Sequence, residues 1–220
     1  MIKAILFDFD GTIADTLPLV VSSIQKAAFP FYQRVLSYDE IAQTFGPCEE
    51  GSLQMLLPNH YKKATNLFYK YYEEDAKSLN CEQPFLGIIE LLQNLKKHNI
   101  IIGLVTGKGT TTTNISLKKY NMLNTFDIIK TGSTKKSIKT ECILDIIKKY
   151  KLNAEDVIYI GDMPSDIDSA KQANCKIISV LYADKKNEQQ ILAKKPDKIC
   201  YSLDELSSFL LQQLNNEVFL

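Results

Sequence analysis

Four short, predominantly apolar runs constrain this chain most: residues 2–7, 100–105, 157–160 and 177–181, with Lys3 and Ser179 the only charged or hydroxyl-bearing interruptions besides the Tyr159 ring. None alternates with polar residues, so each reads as a strand buried on both faces, the pattern of a parallel sheet. Weaker strand patterns cover 126–130 and 198–200. Between them lie helical patterns: Ile88, Leu91, Leu92 and Leu95 on one face, Ile138, Ile143, Ile146, Ile147 and Tyr150 on another. Further helices are expected through Ala173 and over 203–214. A helix over 114–120 is expected to start late, because the four threonines at 110–113 are poor helix formers. Strand and helix thus alternate from residue 84 onward. That order predicts an α/β fold, a doubly wound, Rossmann-like parallel sheet with helices on both faces. Ligands bind such sheets at the carboxyl ends of the strands.

Residues 16–80 break the alternation, with no strand pattern anywhere. Leu17, Val20, Val21, Ile24, Ala27 and Ala28 recur at helical spacing, with Pro30 expected to end that helix. One or two short helices over 38–57 should break at Gly46-Pro47. An amphipathic helix over 60–79 carries Leu67, Tyr71 and Leu79. Its neighbouring tyrosines, Tyr69, Tyr71 and Tyr72, read as packing. The expected organisation is a core of residues 1–15 and 81–220 with an all-helical domain, 16–80, inserted after the first strand. Lys194-Lys195 reads as a solvated turn.

Lys+Arg and Asp+Glu both number 26, and Arg34 is the sole arginine, so neither nucleic acid nor an anionic membrane is an expected partner. No stretch is apolar enough to span a bilayer, and Asp8 and Asp10 interrupt the one run that could imitate a signal peptide. Cys48, Cys81, Cys142, Cys175 and Cys200 are dispersed without a CxxC pair. They read as reduced, mostly buried thiols, and the expected location is cytoplasmic.

The first strand ends in Asp8-Phe9-Asp10-Gly11-Thr12. Alternate residues of an extended chain share a side, so Asp8 and Asp10 can face one volume. One carboxylate can attack or bind metal while its neighbour carries a proton. A strand followed by an acidic helix cap would look similar. The choice depends on the other strand ends, and these are polar too: Thr106, then Asp162 with Asp166 four residues on. Acids crowded there repel one another, and a divalent cation offsets that. An oxygen-only ligand set selects Mg²⁺ over zinc. Asp166 alone could be a helix N-cap.

These residues resemble the haloacid dehalogenase-like hydrolase superfamily. The resemblance rests on Asp8-Phe9-Asp10-Gly11-Thr12, Val105-Thr106-Gly107-Lys108 and Gly161-Asp162-Met163-Pro164-Ser165-Asp166, in the family's order across nearly the whole chain. The helical insertion resembles the family's cap domain. Phe45-Gly46-Pro47 and Pro84-Phe85-Leu86-Gly87 are similar to the phosphoglycolate phosphatase-like subgroup. The resemblance implies Asp8 as nucleophile and Asp10 as acid and base. It implies Mg²⁺ held by Asp8, the Asp10 carbonyl, Asp162 and Asp166. Thr106, the Gly107 amide and a lysine would bind the phosphoryl group. The family's Lys-Pro pair is absent here. Lys139, at the start of a helix, is the expected lysine, with Lys136 as rival. Met163-Pro164 also departs from the pattern, where a small hydroxyl residue is common.

The expected activity is Mg²⁺-dependent hydrolysis of a small phosphorylated metabolite through an aspartyl-phosphate, phosphoglycolate phosphatase-like. A phosphosugar mutase resembling β-phosphoglucomutase on the same scaffold is the alternative. A carbon–halogen hydrolase would need neither the metal acids nor Asp10, and the intact acid set speaks against a phosphate-sensing module without activity. The helical insertion shows no polar cluster that names a substrate, and the sequence leaves the oligomeric state open.

Overall fold

The computed structural model describes residues 1–77 and 83–216. Six strands form one parallel sheet: β1 Ala4–Phe7, β2 Ile101–Val105, β3 Ile128–Lys130, β4 Val157–Gly161, β5 Lys176–Val180 and β6 Lys198–Cys200, in the order β3-β2-β1-β4-β5-β6. The chain winds one way through β1, β2 and β3, then returns beside β1 to build β4, β5 and β6. The reversal falls between β1 and β4, the switch point where crevices form in such sheets. Phe7 is level with Leu104 on one side and Ile160 on the other. Asp8 therefore leaves the sheet beside the ends of β2 and β4, and its amide donates to the Ile160 carbonyl at 2.8 Å.

Strand pleating sorts the apolar residues into two layers. Ile5 and Phe7 pack on α5 (Ile88–Lys96) and α10 (Leu203–Asn216) through Leu91, Leu92, Leu95, Leu206 and Leu210. Ala4 and Leu6 pack on α7 (Lys139–Tyr150) and α8 (Pro164–Gln172) through Ile143, Ile146, Ile167 and Ala170. All four residues of β1 are fully buried. At about 1.5–3 kcal/mol for each large apolar side chain, this strand anchors both layers.

The segment after β1 forms α1 (Leu17–Tyr32), α2 (Tyr38–Ala42), α3 (Glu49–Leu56) and α4 (Tyr61–Ala76). These helices bury a third apolar cluster of their own, including Leu19, Ile24, Ala27, Leu53, Phe68 and Tyr72. The expected boundary at 80/81, Leu79 and Cys81 lie outside the described residues. Four cysteines, Cys48, Cys142, Cys175 and Cys200, are free and buried. No described helix is long and apolar enough to cross a membrane.

Some expectations shift. Pro30 does not end α1, which runs to Tyr32. Proline there removes one bond of the last turn, and the Gln33 amide still closes that turn on the Phe29 carbonyl, with Gln33 left-handed (φ 54°). Helix α6 (Thr110–Lys119) starts at Thr110, not near Asn114. The hydroxyl of Thr113 donates to the Gly109 carbonyl at 2.8 Å and that of Thr112 to Glu49, so the threonines satisfy groups at the helix start. Lys194 closes an unexpected helix, α9 (Glu188–Lys194), and pairs with Asp168 at 2.6 Å. Tyr72 packs as expected, fully buried.

Candidate active site

Asp8, Thr106 and Asp162 follow the adjacent strands β1, β2 and β4, and they meet at one crevice. Gly11, left-handed at φ +73°, turns the chain at the end of β1, and any Cβ there would lie 2.2 Å from Asp162 Oδ2. The glycine thus supplies both the turn and the room for the second carboxylate. Gly161, at the end of β4, likewise leaves room for Asp166, whose Oδ2 lies 2.4 Å from where a Cβ would be.

Single carboxylate oxygens of Asp8, Asp162 and Asp166 lie within 4.8 Å of one another. Asp8 and Asp166 are buried, and Asp162 Oδ1 is buried without a hydrogen-bond partner. An orphaned carboxylate oxygen facing two more acids fits a hard divalent cation. The crowding shows in the titration of these groups. Burial first, then Lys139 in opposition and Asp166, leaves Asp8 at about 6. Burial, then Asp166 and Asp8, pushes Asp162 well above the usual carboxylate range.

Lys139, the first residue of α7, reaches into this cluster. Its Nζ donates to Asp8 Oδ2 and to Asp166 Oδ1, both at 2.6 Å. Burial works against its charge, but Asp166 and Asp8 outweigh it and hold the ammonium well above the usual lysine value. Gly107 lies against it, a Cβ there falling 3.9 Å from Lys139 Cε. Lys136 stays on the surface, paired with Glu141 at 2.6 Å. Thr106 is buried, and its Oγ1 accepts from the Lys108 amide at 3.2 Å. Asp166 is not an N-cap. It is the third residue of α8, where it closes the helix start by accepting from the amide of the N-cap Met163 at 3.0 Å, and it also accepts from the Tyr159 hydroxyl at 3.2 Å.

The Asp10 side chain turns away from the acid cluster. Its Oδ1 accepts from Lys108 Nζ at 3.0 Å and from the Thr16 hydroxyl. The two aspartates of the opening motif therefore have different partners: Lys139 for Asp8, Lys108 and Thr16 for Asp10.

Sequence reasoning assigned no role to Lys108, Glu49 or Glu50. Lys108 is the one buried lysine among the described residues. Its Nζ lies 3.6 Å from Glu49 Oε1 as well as 3.0 Å from Asp10, and 5.0 Å from the centre of the Tyr72 ring. Burial opposes the charge, yet Asp10 and Glu49 keep it well above the usual range. Glu49, from α3, crosses to the sheet side, where its Oε2 accepts from the Gly109 amide at 2.6 Å and its Oε1 from Thr112 at 2.8 Å. The Cys48 amide donates to the Ser133 carbonyl at 2.8 Å, and Gly51 fits against Thr134, whose oxygen would lie 2.4 Å from a Cβ. Helix α3 is thereby docked over the strand ends. The available signal was two adjacent glutamates after Gly46-Pro47, which also suits ordinary first-turn acids.

The comparisons agree with this architecture. The model of the haloacid dehalogenase-like hydrolases matches residues 5–180. Pyrophosphatase PpaX of Bacillus mycoides is 25% identical over 211 residues, 95% of either chain. A predicted phosphoglycolate phosphatase from Haemophilus somnus superimposes with a TM-score of 0.80 at 22% identity, over 96% of this chain and 98% of that one. CbbY from Rhodobacter sphaeroides, solved in complex with phosphate, gives 0.77 at 16% identity over 94% and 96%. With the family model covering most of the chain, from the strand that carries Asp8 to β5, the protein belongs to the haloacid dehalogenase-like hydrolases.

Proposed function

We propose that the protein is a Mg²⁺-dependent phosphatase that hydrolyses a small phosphate monoester through an aspartyl-phosphate on Asp8. The observation that carries this reading is the division of labour at the end of β1. Asp8 faces Lys139 and the acid cluster, while Asp10, two residues on, faces Lys108 and Thr16. Those different partners support attack by the one carboxylate and proton handling by the other. Relatives named as phosphatases support the reaction class.

In the proposed reaction an Asp8 oxygen attacks phosphorus, and the bond to the alcohol oxygen breaks as Asp10 gives that oxygen its proton. Asp10 then takes a proton from water, the water oxygen attacks phosphorus, and the Asp8–phosphorus link breaks to release phosphate. Lys139, Thr106 and the Gly107 amide offer donors to the phosphoryl oxygens as charge spreads over them. Asp8, Asp162, Asp166 and the Asp10 carbonyl would hold Mg²⁺, which supplies positive charge against the approach of two anions. Residues 16–80 act as a helical cap whose docking excludes water. Their separate apolar cluster supports that division. The reading places the enzyme in the cytoplasm, in keeping with its free, buried thiols.

The test is phosphate release from an aryl phosphate with Mg²⁺, with a chelator, and with Ca²⁺. Turnover should need Mg²⁺ and stop with the chelator. Ca²⁺ should bind but support little turnover, because its looser coordination misplaces the nucleophile. Full activity in metal-free buffer would sink the metal assignment. A mutase would instead return the phosphoryl group to substrate and release little phosphate.

A further inference from the structure

The side of the crevice facing α3 and α4 is lined with carboxylates. Glu49 is buried 3.6 Å from Lys108 Nζ. Glu50 lies beside it, its Oε2 at 2.5 Å from where a Cβ on Gly109 would stand. The Tyr69 hydroxyl donates to Glu50 Oε1, and Glu50 Oε2 is buried with no hydrogen-bond partner. A buried acceptor left without a donor is costly, and an incoming hydroxyl or ammonium would satisfy it. Lys108 is the cation here, and Asp10 and Glu49 already claim it. The other cations at hand are committed too: Lys139 to Asp8 and Asp166, and Arg34, the chain's sole arginine, to Glu40 on the surface. Beside Asp10, Glu49 and Glu50 thus place two further carboxylates against the single cation Lys108.

We infer that Glu49 and Glu50 set the class of leaving group, so that the enzyme takes phosphate esters of uncharged or ammonium-bearing alcohols and rejects those whose leaving group is itself an anion. This deepens the phosphatase reading and rests on it. Pyrophosphate and phosphoglycolate, the substrates that the relatives' names denote, both fall in the rejected class. At a separation of about 7–12 Å and an effective dielectric near 20, one like-charge pair disfavours the anion by roughly ten- to fiftyfold.

The experiment uses three two-carbon esters of matched size: ethylene glycol monophosphate, phosphoethanolamine and phosphoglycolate. Each competes against an aryl phosphate with the wild-type enzyme, Glu49→Gln and Glu50→Gln, so an order is read whether or not the competitor turns over. The wild type should bind and hydrolyse the neutral and ammonium esters at least about tenfold better than phosphoglycolate. Either glutamine variant should move the phosphoglycolate-to-glycol ratio of kcat/KM towards the anion by about tenfold, a change that mere loosening of the fold would not bias by charge. A wild type that prefers phosphoglycolate, or a ratio that both variants leave alone, overturns the inference. The wild-type order decides the matter alone if a variant fails to fold. No turnover of the aryl phosphate would be a different failure, that of the phosphatase reading itself.

Discussion

Replacing Lys108 by methionine probes the link between the helical segment and the sheet. The Lys108 side chain is 1% exposed, with Nζ 3.0 Å from Asp10 and 3.6 Å from Glu49. Methionine keeps much of the stem but leaves both carboxylates without their cation. Breaking a buried ion pair from one side costs about 3–5 kcal/mol. The Asp10 side chain is 30% exposed and that of Glu49 7%, so water relieves the first far more than the second. The expected loss is therefore near the lower end, about 3 kcal/mol. At about 2–4 °C per kcal/mol for a chain of this size, Tm should fall by roughly 6–12 °C. The loss should also depend on pH. Burial raises the Glu49 carboxyl and Lys108 holds it down, so removing Lys108 lets it climb further. A carboxyl whose folded value exceeds its unfolded one withdraws stability as pH rises between the two. The deficit should then be largest near pH 8 and shrink towards about pH 5. Thermal melts followed by circular dichroism at both pH values, on Lys108→Met, Glu49→Gln and the double variant, read all of this. The double variant should be at least about 1 kcal/mol more stable than the sum of the singles. A loss below about 1 kcal/mol at both pH values, or strict additivity, would refute the pairing.

Lys139→Ala should lower kcat/KM on an aryl phosphate by roughly 10²–10³, as for a preorganised donor, while Lys136→Ala, on an exposed residue, should change it little. The reverse ranking would move the phosphate lysine to Lys136. Gly11→Ala forces a Cβ to 2.2 Å from Asp162 Oδ2 at φ +73°, so it should cost about 1–2 kcal/mol of stability and weaken Mg²⁺ binding by calorimetry. An unchanged Mg²⁺ affinity would show that Asp162 is not a ligand. Asp8→Asn should abolish the labelled phosphoenzyme in rapid-quench assays, even with an acyl phosphate. Asp10→Asn should hurt alkyl phosphates more than acyl phosphates and slow dephosphorylation. A phosphoenzyme in Asp8→Asn, or an Asp10→Asn defect blind to the leaving group, would show these roles to be misassigned.

The sheet was legible because its strands are buried on both faces. Continuous runs such as residues 101–105 leave few alternatives to a parallel strand, and their order then fixes the crevice at the β1–β4 reversal. What misled was local chemistry read without its partners. Threonines 110–113 have low intrinsic helix propensity, and a residue-by-residue scale cannot foresee that Glu49, about 60 residues away, accepts from Thr112. Pro30 looked like a stop because proline breaks a helix interior, but one missing bond in a last turn is tolerable when Gln33 closes it. Helix α9 is short, with Ile191 its one buried residue, so no apolar period announced it.

The site divides along the same line. Asp8, Thr106 and Asp162 could be placed because each ends a strand, and strand ends are where a sequence pattern becomes a position in space. Lys139 became the candidate through its place at the start of a helix, with Lys136 as its rival; in the structure the Lys139 side chain is 11% exposed and that of Lys136 69%. Lys108 shows the limit. It closes the Val105-Thr106-Gly107-Lys108 motif, yet nothing in its sequence neighbourhood supplies the partners that a buried lysine needs. It is buried only because Asp10 and Glu49 reach it from segments about 98 and 59 residues away, and no local window contains that triad. Glu49 and Glu50 were hidden for the converse reason: two acids opening a helix already have a sufficient local explanation in the helix dipole. Residues that join the helical segment to the sheet are thus the ones a sequence conceals, because their cost is visible locally and their compensation is not.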